Sequence, residues 1–184
     1  FVEIVNADLG IKPAGVVTMN LDLPRDQYAS PELQRNLYQQ LLERVEALPG
    51  VTGVGAINML PLSGNRRSGK IATEDRPFES GKEQYTQIRV ATSGYFAAIG
   101  TALLNGRLID ARDNSQAPPV VLVNETFVRR YFGDADIIGR RIQVIDVPDT
   151  RFQVIGVIAD AIKDEMVDVN EPGIYLSFEQ HPAP

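Results

Sequence analysis

The chain has 184 residues, with no cysteine, no tryptophan and a single histidine. Without cysteine there is no thiolate nucleophile, no disulfide and no sulfur-ligated metal, and one imidazole excludes an HExxH helix or any multi-histidine metal site. The net charge of -6, from 18 Lys+Arg against 24 Asp+Glu, has the wrong sign for a surface that must displace counterions from nucleic acid.

The length suits one domain, or two small lobes sharing a core, and predicts burial of roughly 70% of the unfolded surface. A hydrophobic content of 43% with 23% charged residues is globular and not disordered. Acidity gathers late in the chain: residues 146–179 hold eight acids and two bases. The sequence opens at Phe1 with no basic leader, which reads as a fragment or a mature form. The uncharged stretches 47–65 and 90–106 are broken by Gly, Pro and small polar residues. Neither is a run of about 20 apolar residues, so the chain is expected to be soluble.

In chain order, Val17, Met19, Leu21 and Leu23 alternate with polar neighbours and predict a strand with one buried face, ended by Pro24. Ser30-Pro31 is an N-cap followed by proline at the first helical position. Leu33, Leu37, Leu41, Val45 and Leu48 then form one helical stripe, expected to be core, with Glu32, Arg35, Gln39, Glu43 and Glu46 opposite. Pro49-Gly50 stops that helix, and 51–60 reads as the returning strand. Residues 61–81 carry three glycines and four Ser/Thr and read as a long loop or extended hairpin into a second lobe.

That second lobe opens with a strand at Thr86, Ile88 and Val90, then a short helix from Ser93 to about Gly100. Val120 to Val123 reads as a strand buried on both faces. Asn124 caps a helix in which Phe127 meets Tyr131 and Val128 meets Phe132, closed by Gly133. Strands at 142–147 and 152–159 follow, joined by a Pro148-Asp149 turn. A last strand alternates Ile174, Leu176 and Phe178 with polar partners.

Candidate chemistry is sparse. Gly50, Gly53 and Gly55 lead out of a helix into a strand, the reverse of a dinucleotide fingerprint, and read as a helix stop with close packing. Asp160, Asp164, Glu165, Asp168 and Glu171 lack the EF-hand order and read as a solvated acidic loop. Ser63 and Ser93 neighbour glycines without a GxSxG elbow, and His181 reads as an exposed tail residue, so no Ser-His-Asp triad is expected. Asn124-Glu125-Thr126 matches a glycosylation sequon that an N-cap explains more simply. The basic group Arg66, Arg67 and Lys70 runs against the global charge and is the candidate contact for an acidic partner or anionic headgroups. The fold class read from these elements is α+β.

Three stretches go further. Residues 93–107 place the pair Tyr95-Phe96, then Gly100, then Gly106-Arg107. Residues 120–142 give a strand, an Asn-capped helix and an Ile138-Gly139 to Ile142 element, and 152–160 contain Val154-Ile155-Gly156-Val157. With Leu21-Asp22-Leu23-Pro24 and Leu48-Pro49-Gly50-Val51, the ordered set resembles the MacB-like periplasmic core domain of bacterial ABC transporter permeases, in its acidobacterial duplicated orphan permease flavour. Departures from the family pattern fall at Leu108-Ile109, Ile137 and Ser177.

The resemblance implies two small lobes: a porter-like strand-helix-strand lobe beginning in 1–60, and an inserted mixed α/β sabre-like lobe over 61–162. Residues 163–184 would return to the first lobe, which further sequence would complete. It also implies a non-catalytic domain on the periplasmic side of the inner membrane, between transmembrane helices of the same permease. ATP would bind a separate cytoplasmic ATPase subunit or domain, and the domain itself would need no cofactor or metal. A periplasmic adaptor is the further partner implied, in export or efflux, with no nucleic acid. A stand-alone periplasmic ligand-binding module and a carboxylate-based hydrolase are the rival readings.

Overall fold

The computed structural model describes residues 14–24, 26–60, 67–74, 76–133, 135–147, 149–161 and 171–182. Helix α1 (Pro31–Glu46) starts where expected: Ser30 is extended and its hydroxyl accepts from the Leu33 N–H. Strands β1 (Ser68–Thr73) and β2 (Gln84–Ala91) follow, then the short α2 (Tyr95–Ala98) and β3 (Leu103–Gly106). Next come β4 (Val120–Asn124), α3 (Glu125–Tyr131), β5 (Arg141–Val144), β6 (Arg151–Ile158) and β7 (Gly173–Ser177).

The strand ladder closes on itself. Around the ring run β6, β4, β7, β2, β1 and β5, and β5 pairs back onto β6 through Arg141↔Gln153, Ile142↔Phe152 and Gln143↔Arg151. Closure removes the open edges that a sheet of this size would otherwise present. Period-two alternation then sends one side chain set inward from every strand: Ile71, Ile88 and Val90, Val121 and Val123, Ile142 and Val144, Phe152 and Val154, Ile174 and Leu176. Helix α3 adds Phe127, which is fully buried among them.

Strand β6 serves two partners along one edge, β5 at its start and β3 at its end. The handover is a bulge. Val121 pairs with Val154 but Leu122 pairs with Gly156, so Ile155 is the extra residue. One extra residue flips the alternation, which is why Val154 and Val157 both belong to the inner core while Ile158 faces a second cluster. That cluster packs Tyr95 and Phe96 of α2, with Ile109, over Leu122 and Tyr175 on the outer face of the ring. Strand β4 is therefore covered on both sides, as its apolar run predicts.

Two glycines make the β3–β6 crossing possible. Gly106 pairs with Gly156. A Cβ on Gly106 would lie 2.3 Å from the Ile155 carbonyl oxygen, and one on Gly156 would lie 2.2 Å from that of Arg107. Neither distance is open to a real side chain.

The first 60 residues depart from expectation. Residues 14–24 form no strand: Val17 is 94% exposed and Met19 67%. Residues 51–60 contribute only an isolated bridge, Ile57 to Ala91. The α1 stripe is not core either, since Leu33 is 48% exposed and Gln34 is the helix's buried residue. Alternation and amphipathicity report that a face wants covering, and within the described residues nothing covers these faces. The helix instead touches the ring through Tyr38, whose ring meets Phe178 at 4.8 Å, and Arg35, whose Nε donates to the Glu179 carbonyl at 2.7 Å.

The stretch read as a long loop or extended hairpin through 61–81 contains β1, which pairs antiparallel with β2, and β3 had no predicted counterpart. Strand β7 comes from the segment expected to return to the first lobe. It sits inside the ring between β4 and β2, and the residues just after it are those that reach α1.

Candidate functional site

Of the basic group read as a contact, Arg66 lies outside the described residues, and Arg67 is exposed just before β1. Lys70 is not on a loop: it sits in β1 opposite Tyr85, with its Nζ 3.3 Å from Glu83 Oε1 and 6.0 Å from the ring centroids of both Phe78 and Tyr85. Backbone hydrogen bonds and Lys70 together hold the half-buried Glu83 carboxyl below its ordinary value.

A buried polar cluster forms where β4 becomes α3. Asn124 caps the helix through Oδ1, which accepts from the N–H groups of Phe127 at 3.0 Å and Gly173 at 2.8 Å. Its Nδ2 donates to Asp160 Oδ1 at 2.6 Å and to the Glu171 carbonyl at 3.0 Å. Asp160 also accepts from the Thr126 N–H at 3.1 Å and, through Oδ2, from the Thr126 hydroxyl at 2.7 Å. Asp160 is 3% exposed, so its place in a solvated acidic loop is overturned, while Asp164, Glu165 and Asp168 lie outside the described residues. A carboxylate beside the first turn of α3 complements the unpaired N–H groups there. The sequon fits a cap: the Asn124 amide is spent on internal bonds and the residue is 6% exposed.

A second cluster fixes the chain after β3. Arg107 reaches back as a fork, Nη1 and Nη2 each 2.7 Å from a carboxylate oxygen of Asp113. Burial pushes the Asp113 carboxyl up, but the Arg107 hydrogen bonds and the Asp110 N–H outweigh it and hold the group below its ordinary value. Ser177, a departure from the family pattern, donates its hydroxyl to the Asp113 carbonyl at 3.0 Å. The other departures, Ile109 and Ile137, are buried apolar residues.

His181 is not the exposed tail residue expected. The chain turns after β7, the His181 N–H donates to the Ser177 carbonyl, and the ring lies half-buried 4.9 Å from that of Phe152. Burial, helped by Arg35, holds the imidazole below its ordinary value of 6.5. The fold thus favours the neutral ring, so the stabilisation is complete above 6.5 and is lost as pH falls through the lower native value. Thermal or urea unfolding is expected to show stability declining as pH falls below about 6.5, and His181→Leu should flatten that decline.

Of the two serines singled out, Ser63 lies outside the described residues, and Ser93 is exposed at the turn into α2. The glycine series marks a close approach and not a phosphate cradle. A Cβ on Gly55 would lie 2.3 Å from the Tyr95 backbone, and one on Gly94 would lie 2.2 Å from the Val54 carbonyl oxygen. Beside Tyr95, Phe96 and Tyr175 is a void of about 10 Å³, which holds at most one water. Among the described residues no three Asp, Glu or His side chains converge on a metal position. No described helix is long and apolar enough to cross a membrane.

The residues that looked distinctive in sequence are therefore spent on structure: Asn124 on a cap, Gly106 and Gly156 on a crossing, Arg107 on a fork, and Tyr95 with Phe96 on a core. What they define is a small closed β module that presents surfaces. The family model described as "MacB-like periplasmic core domain" matches residues 7–183, and the chain belongs to that family. Its fold is similar to the periplasmic region of MacB from Actinobacillus actinomycetemcomitans, with 18% identity, a TM-score of 0.55, and coverage of 77% of this chain and 55% of that one. It is also similar to the extracellular domain of the noncanonic ABC-type transporter YknZ from Gram-positive bacteria, with 15% identity, a TM-score of 0.50, and coverage of 76% and 62%. The chain thus spans less than two thirds of either structure's length. No curated protein matches it.

Proposed function

We propose that this chain is the extracytoplasmic part of an ABC transporter permease. It catalyses nothing itself and carries ATP-driven motion of membrane helices to a periplasmic partner or to cargo during export or efflux. The observation that carries this reading is the family match across nearly the whole chain, in which the matching motif residues are consumed by packing and internal hydrogen bonds. A closed ring around a packed apolar core moves as one body, which is what a transmitting element requires. ATP would bind a separate cytoplasmic subunit or domain, and a periplasmic adaptor would be met at the far end. The duplicated orphan permease subtype rests on the flavour of the sequence motifs.

The half-exposed stripe of α1 supports a porter-like lobe that begins in residues 1–60 and is completed by chain beyond this sequence. On that account Leu33 is a surface residue here and a core residue in the whole protein. Leu33→Gln should change the unfolding free energy of this chain by less than about 0.5 kcal/mol, yet lower the amount of folded full-length permease.

The absence of cysteine makes the placement testable. Ser115 is exposed, and Ser115→Cys in the full-length protein provides a single reactive thiol within this domain. It should react in intact spheroplasts with a maleimide that cannot cross membranes. Labelling only after the cells are lysed would overturn the reading.

A further inference from the structure

The outward face of β1, β5 and β6 runs against the charge of the rest of the chain. Because Ile71, Ile142 and Phe152 point into the core, their neighbours in the alternation point out: Lys70, Ala72, Arg141, Gln143 and Arg151. The β5–β6 register pairs Gln143 with Arg151 and Arg141 with Gln153, which sets the two arginines diagonally across adjacent strands. Here the surface sinks into a groove of about 270 Å³, walled by Phe78 and Pro77 on one side and by Arg141, Gln143 and Arg151 on the other. Phe78 is 46% exposed. Unlike Arg107 and Arg112, which hold carboxylates, Arg141 and Arg151 make no ion pair with any described residue. Two exposed, unspent guanidinium groups beside an open aromatic ring stand out on a chain of net charge -6.

We infer that this groove is a docking site for an extended acidic segment of a partner protein, with carboxylates on Arg141 and Arg151 and an apolar side chain on Phe78. Guanidinium forks match carboxylates in two-bond geometry, and the Gln143 amide beside them can pair with a peptide backbone. That the groove is lined by only two basic residues, Arg141 and Arg151, argues for a peptide over a bilayer. Attraction to anionic lipid takes a cluster of about four to eight basic residues. The inference deepens the partner contact proposed above and rests on that reading, adding a strand face to the basic group at Arg66, Arg67 and Lys70.

The test uses the chain as it stands and a fluorescein-labelled peptide that alternates glutamate with phenylalanine. The expected result is saturable binding that weakens as salt rises, with amide shifts confined to Ala72, Thr73, Phe78 and Gln143. Arg141→Glu with Arg151→Glu should weaken binding at least tenfold. The milder Arg141→Gln with Arg151→Gln should also weaken it while leaving thermal unfolding unchanged, which separates lost contact from lost fold. The docking site is refuted if a peptide with lysine in place of glutamate binds equally, if the double variants bind like the parent, or if phosphatidylglycerol vesicles bind through the same arginines in preference to the peptide. None of these outcomes alters the maleimide result above, so the docking site and the permease assignment fail separately.

Discussion

Phe152→Ala is expected to lower the unfolding free energy by about 3–5 kcal/mol, the range for truncating a fully buried phenylalanine. Phe152 is completely buried, lies opposite Ile142 at the pairing that closes the ring, and meets the His181 ring from within the core. The loss therefore combines an apolar cavity with a weakened seam between β5 and β6. Urea unfolding should show a lower midpoint, and amide exchange should quicken first in β5, a strand of four residues. Phe152→Leu keeps most of the volume and should lose about 1 kcal/mol. If Phe152→Ala were as stable as the parent, the ring would not be closed as described.

Asp160→Ala should cost about 2–4 kcal/mol, for a different reason. The carboxylate accepts three hydrogen bonds, from Asn124 Nδ2, the Thr126 N–H and the Thr126 hydroxyl, and all of these donors are buried. Removing it strands the donors without water, so the penalty is their desolvation and not only the lost bonds. Asp160→Asn can still accept at one oxygen and lets the Thr126 hydroxyl turn to accept, so it should recover part of the loss. Exchange protection of the Thr126 amide reports the site directly. It should fall in Asp160→Ala by more than the global change in stability explains.

The two variants mark how far the sequence could be read. The β4–α3 junction was legible because its signals are local: four apolar residues, a capping Asn, and aromatics at helical spacing that do meet, with Phe127 and Tyr131 at 5.0 Å. The role of Asp160 was not, because its partners lie 34 and 36 positions away and only the parallel pairing of β4 with β6 brings them together. Loop and hairpin stayed undivided at β1 because Ser68, Gly69 and Lys70 have the composition of a loop, yet two neighbouring strands hold the segment extended. Strand β3 is four exposed residues whose pairing depends on the bulge at Ile155.

The errors in the first 60 residues run the other way. Val17, Met19 and Leu21 have a strand's alternation, and α1 has a clean stripe, yet periodicity states a preference for burial without supplying the surface that satisfies it. The basic group was harder to place for a related reason. Of its members β1 commits Lys70 to Glu83, and the β1–β5 pairing brings a strand more than 70 positions later beside it. Charge that is clustered along the chain and charge that is clustered on a face are different properties, and only the register converts one into the other.

The absence of cysteine serves the decisive measurement, since a cysteine placed among these 184 residues is unique within them. One spin label at Ser115→Cys and a second at the outer end of the nearest transmembrane helix would report their separation by pulsed electron resonance, with nucleotide absent and with ATP trapped. A transmitting domain predicts a distance distribution that shifts between the two states. A distribution that is the same with and without ATP would contradict it.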